Sequence, residues 1–348
     1  MLKTFLNRPA GWVGQSGPEE DCVIHTRASL VRNLADFPFP ERCSEDEKAA
    51  VEERMLSAFD QSDVFSNGQY YPLSELSLQE TRLLTERHLM TPWMAEGQGP
   101  RGVFISDDQC LSVMVNERDH VRITVLAPGL KPQDVWTRAS EADDALALTL
   151  DFSFDEKRGY LSSSLDELGT GLRVASLIHL PGLTSAGRIM PLEQSVRGNH
   201  HSLTGAFGEI GGAPGYLYVV ANRGALGRSE EEIVYHFRTT IGDAVAQERS
   251  ARATIMKEES LPALADRVGR ALGIARGARV LEFQEALDLL SALRLGLATG
   301  QVESFSVQQL NELLVLAQTA HLESRLGEAS DHFALSTARA NLFRQRFS

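Results

Sequence analysis

The sequence predicts an α+β fold up to about residue 257, followed by an all-α C-terminal domain. Three observations carry this. Short β-branched or alternating runs bounded by turn signals recur between residues 102 and 221. Helix-period segments are interleaved with them. After Lys257 no strand-like run follows, and four helix-period segments succeed one another. A length of 348 residues with 43% hydrophobic content suits two domains with real cores.

Residues 1–20 hold Gly, Pro and acidic residues and read as a flexible tail. Glu45–Phe59 mixes charged and apolar positions at helical spacing. Gly102–Ile105 and Cys110–Asn116 read as strands, and Val121–Leu126 as a third, paired to the second through the Glu117–His120 turn. Pro128, Gly129 and Pro132 break that pattern, and a helix then runs to about Thr149. Tyr160–Ser163 reads as a strand. The Gly169-Thr170-Gly171 step then opens an expected helix over Leu172–Leu180, with Arg173 in its first turn. Such a terminus is a place to hold phosphate. Gly205–Gly215 is glycine-rich and reads as a mobile loop, and Tyr216–Ala221 as a strand. Ser229 and Glu232 form a capping box for a long helix reaching about Lys257. Leu261–Leu272, Glu282–Leu297, Val307–Leu326 and Ser330–Phe347 are the C-terminal helices. The expected domains are therefore 21–257 and 258–348, after the tail.

A formal net charge of −13 argues against a general nucleic-acid binder. No apolar run is long enough to span a membrane. Cys22, Cys43 and Cys110 lack CxxC spacing, which fits a reducing cytoplasm and excludes a cysteine-based zinc site. His200 and His201 adjoin in a loop without a carboxylate at ligand spacing and read as solvated, so no metal site is expected. Nearly all positive charge is arginine, the residue suited to planar recognition of phosphate.

Several segments, in this order, carry a resemblance: TRASLVRN (Thr26–Asn33), RHLMTP (Arg87–Pro92), NERDHVRI (Asn116–Ile123), GTGLR (Gly169–Arg173), TGAFGE (Thr204–Glu209) and LGRSEEEI (Leu226–Ile233). Together they resemble the ATP:guanido phosphotransferases, and within them the bacterial protein-arginine-kinase branch (McsB type). That branch is marked further by QERSAR (Gln247–Arg252), RLGLATG (Arg294–Gly300) and LNELLVLAQ (Leu310–Gln318). The resemblance implies a guanido-kinase, glutamine-synthetase-like catalytic domain: an antiparallel sheet with helices on one side. It also implies a helical C-terminal domain that mediates a homodimer.

The resemblance assigns nucleotide binding to Thr26, Arg27, His88, Arg122, Arg173, Gly205 and Gly208, with ATP and Mg2+ as cofactors. It assigns catalytic carboxylates to Glu117 and Glu209. Four site positions depart from the family pattern. The second arginine of SSRIRLARN is Ser29, the second glutamate of NEEDHLRI is Arg118, the cysteine of CPTNxGTGLR is Ser164, and the arginine of RGxxGE is Thr204. The second glutamate is the family's base and its grip on the guanidinium. Its replacement implies a catalytically impaired, nucleotide-binding or regulatory pseudokinase. The alternative is an active kinase of protein arginine or of a small guanidino compound, with Glu117 and Glu209 as a shifted carboxylate pair. Arg118 is expected either near Glu209, as a built-in pseudosubstrate, or in a salt bridge with Asp119 or Glu117. Arg197 is a weak candidate to replace the arginine lost at Thr204. The implied partners are client proteins bearing arginine and a McsA-type zinc-binding adaptor. The implied location is cytoplasmic, with neither nucleic acid nor membrane.

Overall fold

Strand β1, Val23–Arg32, runs through the middle of the sheet that organises the chain. The structure, a computed structural model, describes residues 8–257, 261–327 and 330–348. The other strands of this sheet are β2 (Gly68–Pro72), β3 (Gly102–Ser106), β4 (Leu111–Val115), β5 (Val121–Pro128), β8 (Leu172–His179), β9 (His201–Gly205) and β10 (Leu217–Asn222). The order is β2-β3-β4-β5-β1-β8-β10-β9, and every neighbouring pair is antiparallel. A separate two-stranded ribbon joins β6 (Phe154–Asp155) to β7 (Gly159–Tyr160), so the strand expected at Tyr160–Ser163 is a short stub.

Side chains alternate across a strand, which gives the sheet two unlike faces. Ala28 and Leu30 of β1, Ile123 and Val125 of β5, and Val174 and Ile178 of β8 enter one apolar cluster. It is covered by helices α1 (Glu45–Asp60), α4 (Pro132–Ala147) and α7 (Glu230–Lys257). Capping boxes set the starts of α1, at Ser44 and Glu47, and of α7, at Ser229 and Glu232. Between α1 and α4 lie α2 (Leu78–Glu86) and α3 (Pro92–Glu96). Between α4 and α7 lie α5 (Pro181–Ser185) and α6 (Ile189–Gly198). No described helix is long and apolar enough to cross a membrane.

The C-terminal helices are α8 (Leu261–Gly277), α9 (Phe283–Ala298), α10 (Val307–Leu316), α11 (Thr319–Leu326) and α12 (His332–Phe347). They pack on part of the opposite sheet face, where Ile24, Leu126, Leu177 and Leu217 share a core with Leu287, Leu290, Leu293 and Leu314. The branch-specific segments are tied into the fold by hydrogen bonds. Glu248 of QERSAR accepts from Gly182 N and Leu183 N, both at 2.9 Å, and from Arg252 Nε at 2.6 Å. Arg252 also pairs with Asp21. Arg294 of RLGLATG donates to Glu20 O at 3.0 Å and to Asn311 of LNELLVLAQ.

Three further local expectations need correcting. Leu172–His179 is a strand and not a helix. It is buried on both faces, so its apolar residues run almost continuously and mimic a helical period. The predicted helix over Val307–Leu326 is two helices, because Gln318 turns extended and caps α11. Glu86 accepts from Ala320 N and His321 N at the new helix start, and Arg339 donates to Ala317 O. The supposed tail is packed at its Ala10–Val13 stretch, whereas Gly14–Ser16 are exposed. Trp12 is fully buried, with Ala10 and Val13 beside it, and its Nε1 donates to Arg87 O at 3.3 Å.

Candidate functional site

The sheet face left uncovered by the C-terminal helices holds a cleft of about 370 Å³. Strand register assembles it. On β1, Arg27 and Ser29 point away from the helix-covered core. Ser29 lies opposite Thr124 of β5 and opposite Arg173 of β8, and Arg122 lies two residues before Thr124. The period of two therefore puts Arg27, Ser29, Arg122, Thr124 and Arg173 on one face. All five line the cleft, with His88, Thr91, Trp93, Glu117, Arg118, Ser164, Asp166 and Glu167 among its walls.

The glycine step does different work from the expected helix start. Gly169 and Gly171 both have positive φ, at 113° and 73°. A Cβ on Gly171 would stand 2.6 Å from an Arg32 nitrogen and 2.7 Å from Val31 O. GTG is thus a tight loop-to-strand junction that delivers Arg173 into the cleft. Phosphate recognition here would rest on guanidinium groups and not on a helix terminus.

The cations are of two kinds. Arg122 is held by carboxylates. Its Nε donates to Glu117 Oε2 at 3.0 Å, and its two terminal nitrogens donate to both oxygens of Glu167 at 2.8 and 3.0 Å. The Glu167 carboxyl is pushed up by burial, but the hydrogen bonds and charge of Arg122, with Arg173 and Arg118 behind, bring it below its ordinary value. Arg27 and Arg173 make no ion pair among the described residues. Burial, then the charges of Arg173 and Arg122, lower the Arg27 pKa to about 10, so it stays a cation at neutral pH. Two unpaired guanidinium groups facing one cleft call for a polyanion.

His88 closes one end. It takes a positive φ of 62°, stacks on Trp12 at 5.3 Å and shares a 3.1 Å hydrogen bond between its Nδ1 and His25 Nε2. Burial and Arg27 lower its pKa to about 4, so the ring is neutral at pH 7. Asp119 and His120 of the NERDHVRI turn are structural. Asp119 accepts from Asn33, from Ser163 N and from Ser163 Oγ, while His120 Nδ1 accepts from Leu34 N at 3.1 Å.

Other expected site residues lie elsewhere. Thr26 is on the helix-covered face, bonded to Gly129 O at 2.7 Å and Ser176 Oγ at 3.0 Å. Gly205 ends the edge strand β9 and Gly208 and Glu209 follow it, all three outside the cleft lining. Glu209 is exposed and precedes the 3-10 turn Ile210–Gly212. Phe207 pins this loop to the C-terminal domain, edge-on to Phe283 at 5.6 Å. A Cβ on Gly205 would stand 2.3 Å from Gly208 O, so the two glycines shape the loop. Glu117 and Glu209 are therefore not brought together. Arg118 lies over the Trp93 ring at 5.0 Å, with a buried Nε that has no hydrogen-bond partner. It is paired neither with Glu209 nor with Asp119 or Glu117, so both expectations for it give way to a cation–π contact. Arg197 pairs with Glu193 on the surface of α6. His201 is not solvated but fully buried, near Phe237.

Glu167 is the residue that sequence reasoning passed over. Its signal was present: in the CPTNxGTGLR pattern its position is the asparagine.

Comparison with known proteins identifies the family of the chain. The family model "ATP:guanido phosphotransferase, C-terminal catalytic domain" matches residues 50–251, and "Protein-arginine kinase McsB C-terminal domain" matches residues 262–348. The protein-arginine kinase of Moorella thermoacetica is 37% identical over 343 residues, covering 98% of each chain. That of Halothermothrix orenii is 35% identical over 348 residues, covering 100% of this chain and 99% of the other. Among solved structures, lombricine kinase superposes with a TM-score of 0.61 at 22% identity, covering 72% of this chain and 71% of that one. The duplicated taurocyamine kinase of Schistosoma mansoni with bound transition-state analogue components gives 0.63 at 20%, covering 79% and 40%. These last two show a shared fold: a guanidino-kinase antiparallel sheet with flanking helices.

Proposed function

The chain belongs to the ATP:guanido phosphotransferases, and from that premise we propose that it binds ATP–Mg2+ but transfers phosphate to arginine poorly, acting as a regulatory pseudokinase. One observation carries the reading. Three arginines that face a single cleft, Arg27, Arg122 and Arg173, accompany a fourth, Arg118, at the position where the family pattern has its guanidinium-gripping glutamate.

Phosphoryl transfer asks a protein for positioning and for neutralisation of phosphate charge. Bound ATP would supply the γ-phosphoryl group, with Mg2+ carried on its phosphates. Arg27 and Arg173 suit the phosphates because neither is in an ion pair with a carboxylate among the described residues. Neutral His88 offers a hydrogen-bonding edge without added charge. The acceptor guanidinium also needs a carboxylate to orient it and take a proton, because its pKa exceeds about 12. Glu117 is fully engaged by Thr91 Oγ1 at 2.6 Å, Arg118 N at 3.1 Å and Arg122. Glu209 stands outside the cleft. A guanidinium brought about 4 Å from Arg118 would be repelled by about 4 kcal/mol at an effective dielectric of 20.

An active kinase is the second reading, favoured by Asp166. That exposed carboxylate lines the cleft and makes no ion pair among the described residues. Arginine side chains of client proteins, a zinc-binding adaptor and a homodimer built on the C-terminal domain belong to the same proposal.

The test is transfer from γ-labelled ATP to an arginine-rich protein, read as acid-labile phosphate. The expected rate is about 10²–10⁴ below that of the Moorella thermoacetica relative, the usual cost of a lost base. Arg118→Glu should recover part of it. Wild-type turnover equal to the relative's contradicts impairment, and no change on Arg118→Glu contradicts the role given to that position.

A further inference from the structure

The cleft contains an anion of its own, bonded to one of its arginines. Arg122 presents a flat fork of N–H groups, the geometry that pairs with phosphate and carboxylate alike. Both arms of that fork are taken by Glu167, at 2.8 and 3.0 Å. The third donor, Nε, goes to Glu117. The side chains of Arg122 and Glu167 are 10% and 8% exposed, so the pair is desolvated and specific. Arg27 and Arg173, on the same face, carry no such partner.

The geometry points to Glu167 as an affinity- and specificity-determining residue of the cleft: its carboxylate occupies the phosphate-binding fork of Arg122, and a ligand gains that arginine only with an anion that displaces it. This deepens the nucleotide-binding reading and rests on it. Arg27 and Arg173 offer the first hold on a polyphosphate. Arg122 is available only to a ligand with a further phosphate to spend on competing with Glu167. The cleft therefore discriminates by the number of phosphates and not by the base. A residue that merely held the fold would not alter that discrimination.

The experiment is calorimetric titration of the full chain with ATP, inorganic triphosphate and adenosine, for wild type, Glu167→Gln and Glu167→Asp. Glu167→Gln keeps the shape and one hydrogen bond to Arg122 but removes the competing charge. With the competing charge gone, ATP and triphosphate should bind about tenfold tighter or more. Glu167→Asp, whose shorter arm cannot reach both nitrogens as well, should fall between. Adenosine should bind equally to all three. Thermal unfolding confirms that each variant is folded, and if Glu167→Gln is not, Glu167→Asp carries the test. Tightening of phosphate ligands alone supports the inference. Wild type and folded variants binding triphosphate equally overturn it, as does an equal gain for adenosine. If no folded protein binds ATP or triphosphate, the nucleotide-binding reading itself fails, and the inference with it.

Discussion

Arg122→Ala should destabilise the protein by about 3–5 kcal/mol and remove measurable polyphosphate binding. The first effect is the less obvious one. Glu117 and Glu167 have side chains only 2% and 8% exposed, and Arg122 is the cation both share. Its removal takes from two buried carboxylates the cation that both of them bond. Glu167 now titrates below its ordinary range because of Arg122, so its contribution is present above a pH of about 4.5 and lost as pH falls through the depressed value. Losing Arg122 should therefore cost most at neutral pH and least in acid. Urea denaturation at pH 7 measures the loss. Combining Arg122→Ala with Glu167→Gln should recover part of it, without recovering binding. A single variant as stable as wild type would show that the carboxylates find water or another cation.

Trp12→Ala should cost about 3–5 kcal/mol, the range for emptying a buried aromatic site. The ring is fully buried, stacked on His88 at 5.3 Å and edge-on to His25 at 4.8 Å. It also holds Arg87 O, next to the residue that closes the cleft. Since His88 sits at a strained positive φ that its surroundings enforce, loosening Trp12 should also weaken ATP binding. Denaturant unfolding of the full chain measures the first effect. A change below about 1 kcal/mol would match a mobile tail and contradict the packing described.

Much of this was legible in the sequence, for particular reasons. The hairpin carrying Glu117 and Arg122 announces itself through alternation and a polar turn. Helix α1 announces itself through charged and apolar residues at helical spacing, and α7 through its capping box. Arg27, Arg122 and Arg173 were picked out as phosphate contacts through the resemblance, and strand register places all three on one face. What failed was local geometry that neighbours decide. β8 reads as a helix because a strand buried on both faces loses its alternation. Trp12 lies among tail-like residues, and only a pocket made by His25 and His88, distant in sequence, buries it. Thr26 adjoins a site residue, yet the period of two turns it to the opposite face. Glu209 was chosen by motif, but its loop is anchored on Phe283 of the C-terminal domain, which no local pattern reports. Glu167 was missed because a charge in a glycine-bearing loop looks solvated until its partner is known.

The most direct test of the central claim is a calorimetric ATP titration of wild type and of the Arg27→Ala/Arg173→Ala double variant. Neither arginine has an ionic partner among the described residues, so removing both strands no buried carboxylate and should leave the fold intact. Wild type should bind ATP, and the folded double variant should bind it at least about 100-fold more weakly, two charge-assisted contacts being lost. Equal affinities in the two proteins, or no heat of binding to wild type, would contradict a cleft built around a polyphosphate.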